Sequence, residues 1–173
     1  DFEEFKKQKD FFLFMQGIHS QFSTPDRIEI LAAGAGQRFV DAGYPQAKPF
    51  LPLGNSFLAI EALNALSPNA TRKGLLLQSA FEVPDKFEDI VLRSDVKVSY
   101  VEKLTAGQAA SAVLALGKNE KGNCVIATCD SLLFPKLGED FDKIRGKTIG
   151  VWVTNPSPYA LSHPKQFGWL KSG

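Results

Sequence analysis

The sequence predicts an α/β fold built on a doubly wound, mostly parallel sheet. Short apolar runs bounded by turn residues recur at 27–33, 73–79, 96–101, 123–128 and 148–154. Most are too continuously apolar for strands with one wet face, and they suit strands covered on both sides. Segments with helical apolar spacing lie between them, at 57–66, 84–93 and 106–116. Strands that alternate with helices of this length are joined by right-handed crossovers into a parallel sheet. The first strand also ends in a glycine-containing turn, where open sheets of this class take their ligands.

Each element has a local reason. Residues 1–26 read as an appendage or linker helix, in which Phe2, Phe5, Phe11, Phe12, Phe14 and Met15 mix with charges before Ser23-Thr24-Pro25-Asp26. Residues 27–173 are then expected to form one domain. Its first strand, 27–33, leads into Gly34-Ala35-Gly36, and a second turn is expected at Gly43 to Pro45. Asn55-Ser56 is placed to cap the helix at 57–66, which Ser67-Pro68-Asn69 stops. Pro84 opens the next helix. Thr105 and Gln108 have the spacing of a capping box for the Ala-rich helix at 106–116, and Gly117 is a natural residue to end it. The fourth strand, 123–128, stops at Asp130.

Composition removes several classes of function. Lys+Arg 20 against Asp+Glu 19 leaves a net charge of +1, so no electrostatic case exists for nucleic acid or an anionic membrane. With 44% apolar and 23% charged residues, no span-length apolar run and no leader pattern at the start, the chain reads as globular rather than membrane-inserted. Cys124 and Cys129 point to opposite faces of their strand and have no zinc-like spacing, which fits a reducing, cytoplasmic setting. His19 and His163 form no metal pattern.

The chemistry concentrates at Leu31-Ala32-Ala33-Gly34-Ala35-Gly36-Gln37-Arg38 and at Lys48-Pro49. Glycines at a strand end let backbone N–H groups approach an anion. Arg38 adds a planar fork for phosphate oxygens, and Lys48 a compact charge. These are the parts needed to hold a triphosphate. A glycine turn is also ordinary in an α/β protein. The dinucleotide fingerprint lacks its third glycine, Phe39 standing there, and no helix is expected directly after it. No Gly-Lys-Ser/Thr closes a P-loop.

Gly34-Ala35-Gly36-Gln37-Arg38-Phe39, then Ala42-Gly43-Tyr44, then Lys48-Pro49-Phe50-Leu51-Pro52-Leu53 resembles the signature of the sugar-phosphate nucleotidyltransferases, in the branch with a GxGxRF…aGy…KP opening. The resemblance covers roughly residues 28–135 and implies a Rossmann-like nucleotidyltransferase fold. It implies an enzyme that couples a nucleoside triphosphate to a sugar 1-phosphate, or a similar phosphorylated small molecule, and releases pyrophosphate with the help of Mg²⁺. In that reading Leu31 to Gln37 bind the nucleotide, with the backbone of Ala33 to Gln37 cradling the phosphates, Arg38 and Lys48 are catalytic, and Gly107 and Gln108 meet the base. The carboxylate after the fourth strand, here Asp130, would hold the metal. The family carries more chain than this, including a second metal-binding carboxylate, so the sheet is expected to be truncated at its C-terminus. No residue here matches that carboxylate, and Asp140 and Asp142 are left unassigned.

Other readings stay open at this stage. Asp130 suits a turn as well as a metal, and Gln108 a cap as well as a base. The domain as a whole suits a catalytically silent nucleotide-binding or regulatory module, or transfer onto a non-sugar alcohol phosphate. Oligomeric state is left open too.

Overall fold

The structure, a computed structural model, describes residues 25–66, 70, 72–117, 122–130 and 158–162. Two compact units divide the chain, residues 1–143 and 144–173. In the second, the described residues form one short helix, Pro158–Ser162. The expected appendage before Pro25, the expected fifth strand at 148–154, both histidines, Asp140 and Asp142 lie outside the described residues.

Among the described residues, the first unit holds a four-stranded, all-parallel sheet flanked by helices. Its strands are β1 (Arg27–Leu31), β4 (Arg72–Gln78), β5 (Val96–Val101) and β6 (Cys124–Thr128). Their order is β5-β4-β1-β6, so the chain runs from β1 through β4 to β5 and then returns past them to β6 on the other side of β1. β1 is central, with Ile30 paired to Leu75 of β4 and to Ala127 of β6. All five of its residues are buried.

The crossover helices are α2 (Leu58–Leu66), α3 (Asp85–Arg93) and α4 (Gln108–Leu116). Both α2 and α4 pack on β1. Leu31, Ala33, Leu76 and Ala115 make one shared cluster under α4. Beside α2 and α3 lies an aromatic cluster. The Phe50 ring meets Phe87 at 4.8 Å and Phe81 at 6.0 Å between centroids, and Phe57 meets Phe87 at 5.4 Å, all edge to face. Pairs of this kind add about 0.5–1.5 kcal/mol each beyond their burial. Phe50 is fully buried and ends a single 3₁₀ turn, Lys48–Phe50, so this cluster anchors the backbone that carries Lys48.

Three local expectations change. A helix does follow the glycine turn: α1 (Gln37–Asp41) starts directly after Gly36, whose left-handed backbone (φ 62°) turns the chain so that its carbonyl accepts from Phe39 and Val40. The Ala42-Gly43-Tyr44 segment is its end rather than a free turn. Gly43 N–H donates to the Val40 carbonyl and Tyr44 N–H to the Phe39 carbonyl, a Schellman closure made possible by φ 79° at Gly43. The matching apolar contact is the Phe39–Tyr44 ring pair, 5.7 Å apart. Second, Ser56 is not a cap. It pairs with Leu53 across a two-residue turn at Gly54-Asn55, in a small hairpin of β2 (Pro52–Leu53) and β3 (Ser56–Phe57). Third, no capping box forms on α4: Gly107, at φ 148°, takes the N-cap position and Gln108 is the first helical residue. Thr105 instead donates to the Gly107 carbonyl at 3.1 Å and meets the Ser111 hydroxyl at 2.6 Å.

Candidate functional site

A cavity of about 320 Å³ opens at the carboxyl edge of the sheet, where β1 and β6 lie side by side. Leu31, Ala32, Ala33, Gly34, Gly36, Lys48, Gly107, Gln108 and Asp130 all line it. Nine of the residues singled out from the sequence, drawn from four separate stretches of chain, therefore meet in one place. The sheet explains why: two parallel neighbours end at the same edge, and α4 begins at that edge after β5.

Within it, Lys48 Nζ sits 2.7 Å from Asp130 Oδ2. The lysine side chain retains 16% of its exposure and the aspartate 32%, so the pair forms part of the cavity wall. Lys48 Nζ also lies 5.5 Å from the centroid of the Phe39 ring. Burial pushes the Asp130 carboxyl up. Hydrogen bonds from Lys48 and Thr128, with the Lys48 charge, outweigh it and hold the group below its ordinary value. Cys129 beside it is buried, which pushes its thiol up to about 11 against the pull of Lys48. A neutral thiol is no nucleophile, so Cys129 is a wall residue.

The glycines differ in what they allow. A Cβ at Gly34 would meet nothing within 4 Å, so the backbone there faces open space. A Cβ at Gly36 would press on Lys48 Cβ at 3.3 Å, in addition to the strain of its left-handed backbone. Gly36 therefore serves the placement of Lys48, a tighter reason than room for a phosphate.

Arg38, Ala35 and Gln37 stand apart from this cavity. Arg38 is exposed on α1 and lines an adjoining depression of about 310 Å³ with Phe39, Ala42, Tyr44 and Asp130. It does not rise from a loop, as the sequence suggested, because α1 has already begun. Asp130 borders both hollows and links them. Gln37 Nε2 donates to Asp41 Oδ1 at 2.7 Å along the surface of α1. Thr105, Ser111, Thr128 and Leu104 also line the cavity without having been singled out for it from the sequence. Thr128 carried a usable signal, as the polar last residue of an apolar strand, whereas Leu104 carried none.

Asp130 offers one carboxylate and Thr128 one hydroxyl to a cation. That donor set fits Mg²⁺, which takes one or two carboxylates and fills its remaining positions with phosphate oxygens and water. Among the described residues no group of three or more His, Cys, Asp or Glu side chains forms a site for a metal held by protein alone. Among them, too, no helix is long and apolar enough to cross a membrane. Comparison with protein-family models, curated proteins and solved structures gives no match. The functional reading therefore rests on the geometry of this cavity.

Proposed function

We propose that the domain binds a nucleoside triphosphate in this cavity and, with Mg²⁺, transfers the nucleotidyl group to a phosphorylated acceptor of the sugar 1-phosphate class. The reading is that of a nucleotidyltransferase with the Rossmann-like fold of the sugar-phosphate family. The observation that carries it is the convergence of Lys48, Asp130 and the Gly34–Gly36 turn on one hollow at the carboxyl edge of a parallel sheet. An open glycine backbone, a lysine and a single acidic group are complementary to a polyphosphate with its cation.

The chemistry needs no activated side chain. An acceptor phosphate is already anionic. Its oxygen forms a bond to the α-phosphorus as the bond from that phosphorus to the pyrophosphate oxygen breaks, and no proton has to move. Catalysis is then positioning and charge stabilisation. Lys48 turns from Asp130 to the α-phosphate and neutralises charge there. Asp130, freed of its lysine, holds the cation, and Arg38 meets the departing pyrophosphate from the adjoining depression. Mg²⁺ supplies neutralisation of the phosphate oxygens. Gly107 and Gln108 also line the cavity, and in this reading they accommodate the base.

The test is a pyrophosphate-release screen of the protein against four nucleoside triphosphates with pooled phosphorylated acceptors. Release that depends on both substrates and on Mg²⁺ is expected. Triphosphate binding without release selects the catalytically silent module, and absence of binding overturns the reading. Thermal shift with triphosphate localises the site, since a ligand that binds only the folded state raises the melting temperature. Arg38→Lys should reduce that shift by losing the bidentate fork, and Gly36→Val should reduce it further by displacing Lys48. Shifts equal to the parent in both variants would remove the phosphate turn from the site.

A further inference from the structure

We propose that Gln78, outside the cavity, is a positioning residue that aims the Gly34 N–H at the ligand phosphate; the inference rests on the triphosphate reading above. Gln78 is the last residue of β4, and its Nε2 donates to the Ala33 carbonyl oxygen at 2.6 Å. It lines neither hollow. Its effect passes through the peptide that joins Ala33 to Gly34. That peptide is planar and trans, so its C=O and N–H point in opposite directions.

The strand order turns this into a direction. β1 has β4 on one side and β6 on the other. The Ala33 carbonyl is drawn toward β4 by Gln78, so the Gly34 N–H points toward the β6 side. On that side lie Thr128, Cys129 and Asp130, three of the residues that line the cavity. Among the described residues the Gly34 N–H has no backbone acceptor, and no side chain at Gly34 screens it. The β ladder cannot hold this peptide, because regular pairing of β1 ends at Leu31, with one further bond from Ala32 N–H to the Leu76 carbonyl. Beyond that point Gln78 is the group that fixes the peptide plane. Its amide thus orients a donor for a phosphate oxygen without touching the ligand.

The test uses the full chain with inorganic tripolyphosphate and Mg²⁺ as probe. Calorimetry compares the parent with Gln78→Met, which keeps length and loses the donor, and with Gln78→Glu, which sets a carboxylate against the carbonyl. Affinity should fall roughly tenfold in Gln78→Met, the scale of one misaimed hydrogen bond to a charged acceptor, and further in Gln78→Glu. A spectroscopic signature separates positioning from general support of the fold. In the parent, the Gly34 amide proton should move downfield as tripolyphosphate is added. The shift should be smaller in Gln78→Met, and a Gly34 shift equal to the parent's in that variant would leave Gln78 as a support of the fold alone. Equal affinities in the three proteins, or a Gly34 resonance that does not move while the parent binds, overturns the inference and leaves the phosphate site standing. Absence of binding by the parent overturns the site itself.

Discussion

Two ion pairs sit at opposite ends of the same sheet, and they serve different ends. At its amino end Arg27 Nε and Glu29 Oε1 meet at 2.6 Å, with side chains only 10% and 5% exposed. At its carboxyl end Lys48 and Asp130 meet at 2.7 Å but stay partly open. The first pair is almost wholly buried. The Arg27 guanidinium also donates to the carbonyls of Ala115 at 2.6 Å and Leu116 at 3.2 Å, the end of α4, where a cation is favoured by the helix dipole. Glu29 stands over Gly74 of β4, in the space that any side chain there would fill. The second pair has a cavity in front of it and a flexible lysine as one member. A pair surrounded by its own acceptors holds secondary structure together, whereas a pair beside an open hollow can exchange partners with a ligand.

The largest expected effect tests the closed pair. Arg27→Met takes from the buried Glu29 carboxylate the guanidinium at 2.6 Å and from two helix carbonyls the donor they share. Urea denaturation should show a loss of about 3–5 kcal/mol. The double variant Arg27→Met/Glu29→Leu should recover much of it, because removing both charges removes the desolvation cost. A single-variant loss below about 1 kcal/mol would make the two pairs alike in kind.

Lys48→Met should behave in the opposite manner. Its stability change should stay within about 1 kcal/mol, the range of a partly exposed pair. Turnover should fall by roughly 100-fold or more while triphosphate binding weakens far less, since charge on the transferred group builds in the transition state. A maximal rate equal to the parent would demote Lys48 to a wall residue.

A smaller effect follows from the lowered pKa of Asp130. A carboxyl more acidic in the folded than in the unfolded protein adds stability that is complete above its unfolded value and fades as pH falls through the folded one. The stability advantage of the parent over Asp130→Asn should be level from neutral pH to about 4 and close below that. An advantage that grew on acidification would contradict the pairing. Calorimetry on the same variant with and without Mg²⁺ checks the metal role, and equal metal dependence in both proteins would leave Asp130 as a turn residue.

The smallest effect belongs to Cys129, between the open pair and the core. Its raised pKa and burial should leave it unmodified by iodoacetamide near neutral pH until urea unfolds the protein. Rapid native-state labelling at Cys129 would place that wall of the cavity in solvent and contradict its burial.

Much of the sheet was legible because burial writes itself as apolar runs. The four strands at 27–33, 73–79, 96–101 and 123–128 appear within a residue or two of their expected bounds. Helix ends were less legible. Gly36 and Gly107 take conformations that start helices, yet a glycine looks the same in sequence whether it starts a helix, ends one or turns a loop. Arg27 and Glu29 were hidden inside an apolar run, although an arginine and a glutamate two apart in a strand share one face and can pair.

Composition and periodicity alone determined that this chain builds a parallel α/β sheet and that its small, charged residues gather where strands end. Local spacing suffices for that, because strand and helix periods are set by the backbone and burial selects the faces. Which of those residues meet was decided only by the tertiary structure. Lys48 faces Asp130 because the aromatic cluster around Phe50 fixes one strand-end turn while the β1–β6 pairing brings up the other. Arg38 lies in the next hollow because a Schellman closure at Gly43 turns five residues into a helix. Contacts between distant segments depend on packing that no single stretch of sequence contains, and at this site it is those contacts that set the chemistry.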